Sequence, residues 1–253
     1  MAGGLIKSIK DSLDEPGLIG ALGRPLYNIY YHLRQSLVPS LRRARRLDHE
    51  FDSKFGVSTK ANLRLDDLDI AGDNARFGNR YQAIRPSEFD DVINCIRIGH
   101  EEFFFIDFGS GMGRALLLAS ELPFRRIIGI EFSRRLHQTA LENICKYKSE
   151  SQKCRYIESI CVDATQYPIP EEKAVFFLYN PFKREVMAKV LDNIQKSLKE
   201  NPREAFILYY NPVCVELFNG STFEELKVAK RYAVFRFPVD TTRQARGGSY
   251  RLS

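Results

Sequence analysis

From Pro86 onward short apolar runs alternate with amphipathic stretches, and the alternation predicts strand, helix, strand. Phe103-Phe104-Phe105-Ile106-Asp107-Phe108 is almost wholly apolar and is stopped by glycines, as expected of a central parallel strand covered on both faces. Arg126 to Glu131, Tyr156 to Val162, Ala174 to Tyr179 and Ala205 to Tyr210 repeat the pattern. Helical stretches separate them: Arg114 to Leu122, Ser133 to about Lys148, and Arg184 to Leu198. Ser87 is placed to cap a helix through Ile96, and Ser133 the helix after the second strand. Glu224 to Ala229 and Tyr232 to Phe237 lie so close together that they predict an antiparallel terminal pair. Glu101 to Pro238 thus predicts an α/β fold: a mostly parallel sheet of about seven strands with helices on both faces.

The first 80 residues follow a different pattern. Leu26 to Leu47 predicts a helix, and the polar stretch after it, with Gly56, Gly72 and Gly78, reads as a loop-rich approach to the core. The expected organisation is a helical extension over 1–80 and one main domain over 81–253.

Composition narrows this little. With 44% apolar and 28% charged residues the chain has enough Ile, Leu, Val and Phe to bury a core, which excludes disorder of the whole. The net charge of +6 is spread over many positions and specifies no partner. Arg42, Arg43, Arg45 and Arg46 stand beside Asp48, Glu50 and Asp52, so this run reads as a solvated helical face in preference to a nucleic-acid site. Five cysteines without a CxxC pair fit a reducing, cytoplasmic setting and buried thiols, with no metal site expected. No run approaches the roughly twenty apolar residues of a membrane span.

In an open α/β sheet the ligand crevice lies beyond the carboxyl ends of the strands. Asp107-Phe108-Gly109-Ser110-Gly111-Met112-Gly113 occupies such an end, where missing side chains let a ligand approach the backbone. Spacing separates three glycine-loop chemistries. A P-loop needs Gly-Lys-Ser/Thr, but Arg114-Ala115 follows Gly113. The dinucleotide fingerprint needs glycine where Arg114 stands, which demotes a nicotinamide oxidoreductase to an alternative.

The remaining pattern, acidic-x-Gly-x-Gly-x-Gly, resembles the first motif of class I S-adenosylmethionine-dependent methyltransferases. The resemblance implies a Rossmann-like fold with an antiparallel C-terminal strand and S-adenosylmethionine as cofactor. Asp107, Gly109, Ser110, Gly111 and Gly113 would then lie against its methionine part and ribose. Glu131, ending the second strand, matches the family's acidic residue for the ribose hydroxyls; its other reading is a cap for the following helix. Asp163-Ala164 matches the pair that contacts adenine, although a surface turn also uses aspartate in this way.

Asn180-Pro181-Phe182 follows the fourth strand, where the family faces the methyl group. It resembles part of the Asn-Pro-Pro-Phe/Tyr motif of amino-group methyltransferases, with one proline where that motif has two. Asn180, Pro181 and Phe182 are therefore the candidate acceptor-orienting residues, Asn180 also bordering the cofactor. The shorter Asn-x-Phe, with Phe105 to Gly113 and Gly129-Ile130-Glu131, resembles the non-SET histone-lysine methyltransferases and related bacterial proteins. Tyr81 to Ser87 resembles an aromatic-plus-proline segment ahead of the core in such proteins, which implies Tyr81 closing over the cofactor; a packed tyrosine is the other reading. The implied activity is methyl transfer to a protein amine or a small metabolite, with a catalytically silent S-adenosylmethionine-binding module as the alternative. Asn211-Pro212, after the fifth strand, reads as a helix start.

Overall fold

The computed structural model describes residues 50–60 and 82–239. The helix expected over 26–47 and Tyr81 lie outside the described residues. A compact unit begins at Phe51. Its strands are β1 (Phe104–Phe108), β2 (Arg126–Glu131), β3 (Ile157–Cys161), β4 (Ala174–Tyr179), β5 (Ala205–Tyr210), β6 (Glu224–Val228) and β7 (Tyr232–Phe237). The helices are α1 (Pro86–Ile93), α2 (Arg114–Ala119), α3 (Arg134–Lys146) and α4 (Arg184–Glu200).

The strands form one sheet in the order β3-β2-β1-β4-β5-β7-β6. β1 to β5 are mutually parallel, and β7 runs against both of its neighbours. This is the Rossmann-like, mostly parallel seven-stranded sheet with an antiparallel C-terminal strand that the resemblance implied. From β1 the chain passes to β2 on one side and later to β4 on the other, so strand order reverses at β1 and the crevice opens between the loops that follow β1 and β4.

The uniformly apolar strands are those covered on both faces: every residue of β1 and of β5 is buried. α4 covers one face with Val186, Met187, Val190, Leu191, Ile194 and Leu198. The other carries α1 and α2, with Phe89, Val92, Leu116 and Leu117 against Phe105, Phe177 and Leu208. Phe51 and Val57 join that second cluster, so residues 51–60 pack on the domain. Burying each such Phe or Leu contributes roughly 1.5–3 kcal/mol.

Two local expectations give way to proline chemistry. α1 starts at Pro86 with Arg85, not Ser87, as its cap. Proline is pre-shaped for the first helical position and pushes the residue before it to extended backbone, here φ −80°, ψ 146°. The Glu88 carboxylate then accepts the Arg85 N–H at 3.2 Å. Pro212 does not open a helix; the next helical turn is a short 3-10 segment, Val215–Phe218. Asn211 before it adopts φ +49°, a turn that redirects the chain and is held by its N–H donating to the Arg231 carbonyl at 2.6 Å. Ser133 caps α3 as expected, accepting from the Leu136 N–H at 3.3 Å. Among the described residues no helix is long and apolar enough to cross a membrane.

Sheet and α2 touch through Gly129 in β2. A β-carbon there would stand 2.6 Å from Leu116 Cδ1 and 2.7 Å from Ser110 Oγ. Gly129→Ala is expected to lower the unfolding free energy by about 1–3 kcal/mol in urea titration. Gly99→Ala, whose nearest neighbour is the end of the flexible Glu101 side chain, should leave it nearly unchanged.

Candidate functional site

Two turns meet at the point of strand reversal. The loop after β1 holds Gly109, Gly111 and Gly113 at φ +83°, +54° and +85°, the left-handed region that favours glycine. Gly109 is fixed a second way: a β-carbon there would lie 2.4 Å from Cβ of Pro181, in the turn after β4. The glycine loop and Asn180-Pro181-Phe182 are thus in direct contact. Asn180 itself stands at φ +41°, which asparagine tolerates better than most residues.

Glu131 ties this loop to the next strand end. Its side chain is buried; Oε2 accepts the Gly111 N–H and Oε1 the Ser133 N–H, each at 2.8 Å. The carboxylate so joins the glycine loop to the cap of α3, and the Phe132 N–H is a third amide that favours its charged form. Burial pushes its pKa up to about 7, against the pull of these amide donors. Asp107 is also buried, and loss of water together with the nearby Glu131 charge raises its pKa well above the usual carboxylate range. The Ser110 hydroxyl is buried without a hydrogen-bond partner among the described residues.

Asp107, Gly109, Ser110, Glu131, Asn180, Pro181 and Phe182 all border one crevice, so the fold brings together residues drawn from three strand ends. Asp163 and Ala164 border a smaller, more apolar cleft with Val162 and Val186. Gly109, Phe132 and Phe182 line both, and the two clefts meet along them. Asp163 Oδ1 accepts from the N–H and hydroxyl of Thr165, both at 2.8 Å, and so caps the 3-10 turn Ala164–Gln166. Ala164 is buried in the core.

The structure adds residues that the sequence did not single out: Ile84, Phe132 and Arg114. Phe132 directly follows Glu131 at a strand end, a position that marks it in hindsight. In the sequence Arg114 argues against a P-loop and a dinucleotide fingerprint and begins a helix, with nothing to mark it as a crevice residue. Tyr179, half-buried at the end of β4, has its pKa pushed up to about 12 by burial and the nearby Glu88 carboxylate, and keeps its phenolic proton.

No family model matches the chain, and no curated protein matches it. Among solved structures it is similar to a ribosomal protein L11 methylase from Lactobacillus delbrueckii subsp. bulgaricus: 12% identity, 65% of this chain and 82% of that one, TM-score 0.44. It is also similar to an RNA methyltransferase from Salinibacter ruber in complex with S-adenosyl-L-homocysteine: 17% identity, 64% and 95% coverage, TM-score 0.43. A third is a precorrin-6y C5,15-methyltransferase from Geobacter metallireducens GS-15: 13% identity, 68% and 93% coverage, TM-score 0.47. Sharing a chain path does not settle what a site binds; the residues of the site do.

The buried carboxyls carry a pH signature. Glu131 holds its proton up to about pH 7 when folded but only to about 4.5 when unfolded, so between these values the folded state binds the extra proton. Stability from this group is fully present below pH 4.5 and is lost as pH rises through 7, by on the order of 3 kcal/mol. Asp107 acts in the same direction. Urea unfolding of the wild type is expected to lose stability between pH 5 and pH 8 relative to Glu131→Gln; parallel profiles would mean that Glu131 is not perturbed.

Proposed function

We propose that the chain is an S-adenosylmethionine-dependent methyltransferase acting on an amine of a protein or small metabolite. The observation that carries this reading is the contact of Gly109 with Pro181 over a crevice floored by Asp107, Ser110 and Glu131. Bare glycine backbone, an unpartnered buried hydroxyl and two buried carboxyl groups fit a ligand rich in hydroxyl and ammonium donors. Asp107 with Gly109, Ser110, Gly111 and Gly113 would hold the methionine part and ribose, and Glu131 the ribose hydroxyls. Asp163 and Ala164 would border adenine, with Phe132 and Phe182 between the two halves. Tyr81 would close over the same crevice. In this reading 81–253 is the cofactor domain and 1–80 an extension, of which 51–60 pack on the domain.

When bound, S-adenosylmethionine supplies a methyl group on a sulfonium, open to in-line displacement. The protein's share is alignment and exclusion of water, for which correct orientation alone contributes on the order of 7–11 kcal/mol. A nitrogen acceptor must be neutral to attack. The Asn180 amide oxygen and the Pro181 carbonyl accept N–H donors and would point its lone pair at the methyl carbon; the Tyr179 hydroxyl, kept protonated, is a donor at the same mouth. All five cysteines are free thiols, which supports the cytoplasm as the compartment.

Calorimetric titration with S-adenosylhomocysteine and, separately, NADH tests the cofactor. The former alone should bind, and Glu131→Ala should weaken it at least tenfold; binding of NADH alone would sink the proposal. The acceptor role of Asn180 calls for Asn180→Gly, because glycine keeps φ +41° without strain while alanine does not. Transfer of a labelled methyl group to fractionated cell extract is expected to fall about 100-fold, with S-adenosylhomocysteine affinity within twofold of wild type. Equal loss of both would make Asn180 a cofactor residue.

A further inference from the structure

Three left-handed glycines make a loop that does not keep its shape unaided, because glycine has more conformational freedom to lose than any other residue. Glu131 fixes one side of the loop through the Gly111 N–H. The other side is held from residues 51–60, a strap that packs on the domain through Phe51 and Val57. Its grip falls on both neighbours of Gly113. Asn143 of α3, buried at 1% exposure, donates one amide N–H to the Met112 carbonyl at 2.9 Å. Arg114 donates from Nε to Thr59 Oγ1 at 2.5 Å and from Nη2 to Asp52 Oδ1 at 2.7 Å.

Every polar group of the Asn143 amide is engaged. Its second N–H goes to the Ser58 carbonyl at 2.9 Å, and its oxygen accepts the Ser58 N–H at 2.8 Å. With both donors and the oxygen committed, the side chain has one orientation that satisfies strap and loop together. The strap that sets this orientation is closed on itself: Asp52 Oδ2 accepts the N–H groups of Thr59 and Lys60 at 2.9 and 2.8 Å, and Oδ1 accepts the Thr59 hydroxyl at 2.5 Å. The rings of Phe55 and Phe51 lie against Tyr147 at the end of α3, with centroids 4.7 and 6.1 Å away. Residues 51–60 lie outside the crevice lining, whereas Gly109 and Ser110 of the loop belong to it. Any effect of the strap on a ligand in the crevice therefore runs through the loop.

We propose that Asn143 is a positioning residue for the glycine loop and couples it to the strap, so that a ligand seated on the loop tightens residues 51–60 and a loosened strap weakens that ligand. The two effects are one coupling seen from its two ends and must be equal. The ligand half of the inference rests on the cofactor reading above.

Hydrogen exchange of the full chain, followed by mass spectrometry, tests the coupling. S-adenosylhomocysteine should slow exchange in the peptide covering 51–60 as well as in the glycine loop. In Asn143→Ala the slowing should stop at the loop, and calorimetry should show binding weaker by about 10-fold. Phe55→Ala removes a strap ring that touches Phe51 and Tyr147, and it should weaken binding several-fold. Adding it to Asn143→Ala should cost little more, because both act through one contact. A purely structural role for Asn143 would lower the unfolding temperature and leave the affinity of the folded protein within twofold of wild type; that result overturns the proposal, as does a strap whose exchange ignores the ligand. If Asn143→Ala does not fold, Phe55→Ala decides alone, and unchanged affinity there overturns the proposal. If wild type binds no S-adenosylhomocysteine, the cofactor reading falls and the coupling is judged without ligand: the glycine-loop peptide of Phe55→Ala should still exchange faster than that of wild type, and equal rates overturn this inference as well.

Discussion

A buried carboxyl group, Glu131, joins the parts of the crevice. Its two oxygens take one amide from the glycine loop and one from the cap of α3, so the ends of β1 and β2 cannot move independently. Placing an acid there is costly, which is why its proton affinity rises, and the amide donors offset only part of that cost. A neutral amide of the same shape would relieve the burial but set an NH2 donor against one of the two amide donors. The geometry of the glycine loop thus depends on a group that the fold holds at a cost.

The strands were readable because their burial leaves so little choice. β2, β4 and β5 coincide with their apolar runs, since a strand covered on both faces has to be apolar along its length. The reversed β7 was legible from the short connection between Val228 and Tyr232, too short for a crossover helix. Local signals mislead at two prolines: Ser87 has a capping side chain, yet Pro86 opens the helix with Arg85 as cap, and Asn211 turns the chain away before Pro212 can open one.

The lining of the crevice was legible at Asp107, Gly109, Ser110 and Glu131, where spacing and strand ends coincide. It was opaque where a contact joins segments far apart in sequence. Nothing in residues 51–60 advertises that Asp52 and Thr59 reach a residue 62 and 55 positions later, because a short polar segment looks the same whether it is solvated or latched. The contact between Pro181 and Gly109 is of the same kind: each residue suggests a turn, and only the sheet order brings the two turns together.

Asn180 and Asn211 end neighbouring strands, pair-mates of the register through Tyr179 and Tyr210, and both turn left-handed before a proline. Backbone of this shape admits glycine, asparagine and aspartate readily and few others. The alphabet open to drift at the mouth of the crevice is therefore set by conformation before chemistry has any say. Glutamine or serine, which would keep an amide or a hydroxyl there, are disfavoured by the main chain alone. A change in what the crevice admits would have to be written at other positions that line it, Tyr179 and Phe182 among them, because the main chain restricts what can replace Asn180.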